Sequence, residues 1–286
     1  MCSNNQYIRL SFSLLFFVVI FNLTGINASN FTIVASEGKT QGCTHIIVEH
    51  QPEIAKSEKE ALLILPGFSD NRKRRKKQKA FFEKLDYDLY IPDYHSRKSF
   101  ALTVDNLQTF YEAEELGEYK KIHVFSYIIG SWAINTFIQQ NGRKNITTII
   151  YDRSPLQERA PQVVEEKIPL LGEMSKGKVL ADFSEIPYPV LEQDSIKIGI
   201  IVESKATKLM KFFRKTVLSY GEVRWDAAFF QQNFEDLIYT PLNHTQMYTR
   251  FDIIGADIIH FLEYGQFLET TRRVPYEWDF FEKWKE

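Results

Sequence analysis

The stretch Ile122–Trp132, IHVFSYIIGSW, decides how the rest of the chain is read. Ile122, Val124 and Phe125 form a β-branched and aromatic run of the kind that fits a buried strand. A tight turn containing Gly130 follows, and then Trp132, Ile134, Phe137 and Ile138 recur at helical spacing. Strand, sharp turn and helix in immediate succession make one half of a parallel βα unit. At the tip of the turn stands Ile128, flanked by Ser126 on one side and Gly130 on the other.

Working outward, strand-like and helix-like segments alternate, which predicts a parallel sheet covered by helices. Strands are expected over 44–49, 61–65, 88–91, 121–125, 146–151, 196–202 and 237–239. Helices are expected over 71–85, capped by Ser69, Asp70 or Asn71, and over 105–115, 131–140, 206–220 and 247–267, with a short one over 278–286. Residues 154–194 carry five prolines and little periodicity, and read as a cap or lid over one face of the sheet.

The N-terminus reads differently. Arg9, an apolar run from Leu10 to Phe21 and the sequence Asn27-Ala28-Ser29 together suggest a signal peptide over 1–28, cut after Ala28. The run is shorter than the about 20 residues of a spanning helix. The expectation is export to a periplasmic, lumenal or extracellular space, the alternative a retained N-terminal anchor. Cys2 would leave with the signal, and Cys43 alone cannot form an internal disulfide. Sequons stand at Asn30, Asn145 and Asn243. A formal net charge of −2 gives no field for nucleic acid, and 44% hydrophobic residues suffice for a core.

Four segments, ALLILPGFSD, DLYIPDYHSR, HVFSYIIGSW and PLNHTQMY, occur in an order that resembles the α/β-hydrolase superfamily across nearly all of residues 29–286. The resemblance implies one domain with a mostly parallel, helix-flanked sheet and the 154–194 insertion. It identifies Gly67 and Phe68 as an oxyanion loop, and Ser126–Gly130 as the turn where G-x-S-x-G displays a nucleophile. Ile128 fills the serine position. By the same resemblance His244 falls where the general base belongs. Glu203, or Asp152 one strand earlier, falls where the acid belongs that would hold the imidazole in one tautomer.

Two functions compete. In one, Ile128 leaves His244 with no proton to take, and the chain is a pseudohydrolase that binds a small-molecule or lipid-like ligand, or a partner. In the other, a displaced Ser126 attacks and His244 acts as base in an ester or acyl hydrolase. Ser126 would then lie roughly 6–7 Å down the strand from the usual position. Ser131 reads as a cap, and Tyr127 as a poor nucleophile. A third reading rests on Arg72, Lys73, Arg74, Arg75, Lys76, Lys77 and Lys79, which open a helix at the end where its dipole disfavours cations. That run could bind an anionic surface. No metal or cofactor is expected.

Overall fold

The computed structural model describes residues 45–192 and 195–282. The expected signal peptide, Cys2, the Asn30 sequon and Cys43 therefore lie outside the described residues. The strands are β1 (Ile46–Val48), β2 (Glu60–Leu65), β3 (Asp88–Ile91), β4 (Lys121–Ser126), β5 (Ile146–Arg153), β6 (Lys197–Lys205) and β7 (Asp236–Asn243). They form one seven-stranded sheet in the order β1-β3-β2-β4-β5-β6-β7. Only β1 is antiparallel to its neighbour.

The helices are α1 (Arg72–Phe82), α2 (Phe100–Ala113), α3 (Ile128–Asn141), α4 (Ala160–Lys167), α5 (Pro169–Lys176), α6 (Val179–Glu185), α7 (Lys208–Phe212), α8 (Arg214–Ser219), α9 (His244–Met247) and α10 (Phe251–Tyr264). Strand alternation divides the core between two faces. Leu63, Val124, Ile149, Ile200 and Tyr239 pack with residues of α2, α3 and α6. Leu62, Phe125, Ile150, Ile201 and Ile238 pack with residues of α1 and α10. A third cluster joins Leu156, Val163, Met210 and Val217 to Phe280 and Phe281.

The chain runs from β2 outward to β3, then crosses back to β4 and continues in the other direction. The carboxyl ends of β2 and β4 therefore form the switch point of the sheet, the usual place for a ligand crevice in an open α/β fold. Leu65 pairs with Ser126 at that edge, and Tyr127 N–H donates to Leu65 O at 3.0 Å. The loops that follow, Pro66-Gly67-Phe68 and Tyr127-Ile128, are side by side. Gly130 is required there: a Cβ would stand 2.6 Å from Leu65 O.

Several elements depart from their expected bounds for identifiable reasons. Ser99 caps α2 by accepting from Leu102 N–H, so this helix starts five residues earlier than its periodicity suggests. Helix α3 begins at Ile128, which puts Ser131 inside the first turn, where it does not act as the cap. The single helix expected over 206–220 breaks at Phe213 into α7 and α8, and 247–267 becomes α9 and α10. Strand β7 continues through Pro241. It is an edge strand, so the missing N–H costs no ladder bond on its open side. Residues 278–282 form no helix, and Trp278 Nε1–H instead donates to Ser204 O at 2.8 Å.

Candidate functional site and its cavity

Asp152 and Glu203 stand at the carboxyl ends of neighbouring strands. Asp152 pairs with Ile201, two residues before Glu203, so both carboxylates point to the same face. His244 is the first residue of α9, held by a capping box between Asn243 and Gln246. Together these placements bring all three side chains into one buried cluster. His244 Nδ1 lies 2.7 Å from Glu203 Oε1 and 3.5 Å from Asp152 Oδ2. The two alternative acids of the sequence are thus both present.

The electrostatics of the cluster follow from burial and proximity. Burial pushes the Glu203 carboxyl well up, and the neighbouring Asp152 charge pushes it further. Burial also raises Asp152, against the pull of His244. For His244, burial alone would lower the pKa, but the Glu203 charge, the hydrogen bond to Glu203 and the nearby Asp152 carboxyl outweigh it and push it up to about 10. The raised pKa favours an imidazolium at neutral pH, with Nδ1–H donating to Glu203 Oε1 at 2.7 Å.

Asp152 Oδ1 and Oδ2 and Glu203 Oε2 have no hydrogen-bond partner in the protein. Two carboxyls in one dry site do not readily both ionise, so the pair shares a single negative charge facing the imidazole. The donor atoms of these three residues lie within 4.8 Å of one another, close enough to share a cation. A tetrahedral ion with ligands at about 2.0–2.2 Å, however, holds its donors more than about 3 Å apart. The 2.7 Å contact fits a proton better.

Ser126 is not part of this cluster. It has the parity of Val124, so its hydroxyl points to the α3 face, opposite Asp152 and Glu203. It is fully buried and lies 3.0 Å from Ser131 Oγ. The two-residue displacement considered from the sequence fails because strand parity does not extend through the turn. The residue at the turn is Ile128. The positive-φ residues other than glycine are Gln51, Glu115, Lys144 and Gln231 among the described residues, so Ile128 does not carry the strained backbone of a nucleophile elbow. A β-branched side chain would resist that conformation.

Gly67 N–H donates to Tyr248 Oη at 2.8 Å, and Tyr248 stacks on Tyr127 with ring centroids 3.8 Å apart. Pro66 O accepts from both Tyr94 Oη–H and His95 Nε2–H at 2.7 Å each. His95 is a buried clamp on the Pro66-Gly67-Phe68 loop, kept neutral because burial, helped by Lys176 and Arg75, lowers its pKa to about 3.

Ile128, His244, Gly67 and Phe68 line one end of a cavity of 420 Å³. Its remaining wall is mostly apolar and comes from the insertion, with Val164, Ile168, Leu180 and Phe183 among the contributors. With Nδ1 engaged by Glu203, His244 has Nε2–H left to offer at this wall. Tyr127 is buried away from it, its hydroxyl unpartnered.

The basic run is corrected in part. Arg75 is buried and belongs to the core: its guanidinium pairs with Asp70 at 2.6 Å and donates to Ile91 O and Pro92 O. Arg74 reaches Ser69 O and lies over the Tyr248 ring. Arg72, Lys73, Lys76 and Lys77 remain exposed.

No protein family and no curated protein matches this chain in sequence. Among solved structures, the chain is similar to the mature form of the Bacillus licheniformis lipase BlEst2, with a TM-score of 0.50 at 14% identity over 80% of this chain and 99% of that one. The propeptide form of the same lipase gives 0.51 at 14% identity, over 84% of this chain and 56% of that one. At such identity the likeness is one of fold. The chain has the α/β-hydrolase fold.

Proposed function

We propose that this α/β-hydrolase-fold chain is a pseudohydrolase, a binding protein that holds an apolar ligand in the cavity beneath residues 154–194. The observation that carries this reading is Ile128 at the turn, on the same cavity wall as His244 and without a strained backbone. Acyl transfer needs a nucleophile within hydrogen-bond reach of a base able to take its proton. Here the position holds a side chain with nothing to ionise, and His244 is already protonated at neutral pH. What the site retains is donor capacity. His244 Nε2–H can meet an acceptor oxygen while the apolar wall takes a hydrocarbon body, the usual division of labour in a small-molecule pocket. The insertion, in this reading, is the cap that shapes the cavity.

The test pairs a reactivity assay with a binding assay. A fluorophosphonate probe and short-chain nitrophenyl esters should give neither labelling nor turnover. The fluorescent fatty acid cis-parinaric acid should bind, and binding should fall at least about tenfold in Ile168→Asp, which places an unpaired charge in the wall. Labelling that disappears in Ser126→Ala would make the chain an active hydrolase and sink the proposal.

A further inference from the structure

Three segments meet around the mouth of the cavity. All follow the carboxyl ends of strands, so the fold gathers them on one side of the sheet. Helix α5 rests on its neighbours through a single buried residue, Gly172, where a Cβ would stand 2.6 Å from Val164 Cγ1. Its outward face presents Leu170, Leu171 and Met174, which are 75%, 60% and 75% exposed. Arg97 fastens its far end by donating to the carbonyls of Glu173, Met174 and Ser175.

Helix α7 exposes Phe212 to 81%, with Lys208 exposed and Lys211 half-buried on the same short helix. Phe212 lines a second, adjoining pocket that shares Ser69, Gln157 and Leu209 with the main cavity. Ser69 then leads through Asp70 and Asn71 into the exposed Arg72 and Lys73 at the start of α1.

Large apolar side chains exposed in a group at a cavity mouth mark an interaction site. Two features indicate the partner. The apolar tips are interleaved with lysines, which are depleted at protein–protein interfaces but suit a surface of anionic headgroups. Leu171 of α5 and Leu209 of α7 both line the cavity, so the exposed Leu170, Met174 and Phe212 belong to two elements that border it. Glu173 is the exposed acid on α5. Among the described residues no helix is long and apolar enough to cross a membrane, so contact would be at the surface.

We infer that this rim is a docking face for an anionic lipid surface. Leu170, Met174 and Phe212 enter the interfacial layer, and Arg72, Lys73 and Lys208 sit at headgroup level. This placement does not depend on what fills the cavity, or on whether the chain is catalytic.

Co-sedimentation of the full chain with phosphatidylglycerol–phosphatidylcholine vesicles, against phosphatidylcholine alone, tests it. A retained N-terminal apolar run would also bind lipid, so the comparison is between variants of the same chain. All substituted side chains are exposed, and equal thermal melts establish that the fold persists. Binding to anionic vesicles should fall about a hundredfold in Arg72→Ser/Lys73→Ser/Lys208→Ser, at roughly a factor of five per charge, and should weaken with salt. A comparable loss is expected in Leu170→Ser/Met174→Ser/Phe212→Ser, with cis-parinaric acid binding unchanged in both variants. Three results overturn the inference: no vesicle binding, binding equal in wild type and variants, or a lipid-free dimer that the apolar variant dissolves.

Discussion

Ile128 and His244 share a cavity wall, the first with nothing to ionise and the second with a pKa raised by its carboxyl neighbours. Two buried carboxyls hold His244 as a cation to about pH 10, so restoring a hydroxyl does not restore a triad at neutral pH. Ile128→Ser should remain unlabelled by a fluorophosphonate at pH 7, with labelling rising as pH approaches 10 and the imidazole gives up its proton. Rapid labelling at pH 7 would show that His244 is a free base there. Much of this residue-level pattern was legible in the chain: the place of Ile128, the base position of His244, and both acids. That the acids act as a pair was not legible, because the strand pairing that aligns Asp152 with Glu203 links residues some fifty positions apart. Nor was the clamp of Tyr94 and His95 on Pro66, which is a tertiary contact with no local signature.

Helix α1 shows what a charge run conceals. Seven of its first eight residues carry positive charge, yet period 3.6 directs Arg75, Gln78 and Phe82 inward. Arg75 then becomes a buried partner for Asp70, whose carboxyl burial pushes upward against the pull of that same guanidinium. Arg75→Ala should destabilise the fold by about 3–5 kcal/mol, since it strands a buried carboxylate. Lys76→Ala, one residue away and exposed, should change stability by less than about 0.5 kcal/mol in urea unfolding. Equal effects would mean that Arg75 is not the structural member of the run. Similar concealment applies to the sequons. Asn243 Oδ1 caps α9, and Asn145 Nδ2 donates to Leu116 O and Tyr119 O, so both side chains have structural work within the fold. Strand positions were readable from apolar runs because burial dictates them. Helix ends were less readable: Ser99 caps α2 through Leu102 N–H, starting the helix five residues before the apolar periodicity begins, and the break at Phe213 leaves the periodicity of 206–220 intact.

Across the whole molecule, buried histidines are displaced in opposite directions, His95 and His123 downward and His244 upward, and each makes stability depend on pH. His95 is lowered to about 3, so below its unfolded value of 6.5 the unfolded chain takes up a proton that the folded chain refuses, and stability falls with acid. His244 is raised to about 10, so above 6.5 the unfolded chain releases a proton that the folded chain keeps, and stability falls with base until pH 10. The raised Asp152 and Glu203 carboxyls act in the same direction as His244. Thermal melts should therefore show stability falling between pH 6.5 and 10, and His244→Gln combined with Glu203→Gln should flatten that fall. Below pH 6.5, His95→Gln should lessen the loss of stability to acid relative to wild type. Slopes unchanged in both variants would refute the assignment.

The sheet order also bears on how the chain acquires its shape. Among the described strands β1 is synthesised first, but its partner is β3, on the far side of β2. That docking edge does not exist until β2, α1 and β3 have been made and paired. The first strand is thus among the last to join, and until then the outer edge of β3 is open to any passing strand. Only three residues long, β1 is a weak template while it waits. The cost falls on nascent chains: crowding during synthesis should lead to aggregation through β3 well before the cavity or its rim has formed.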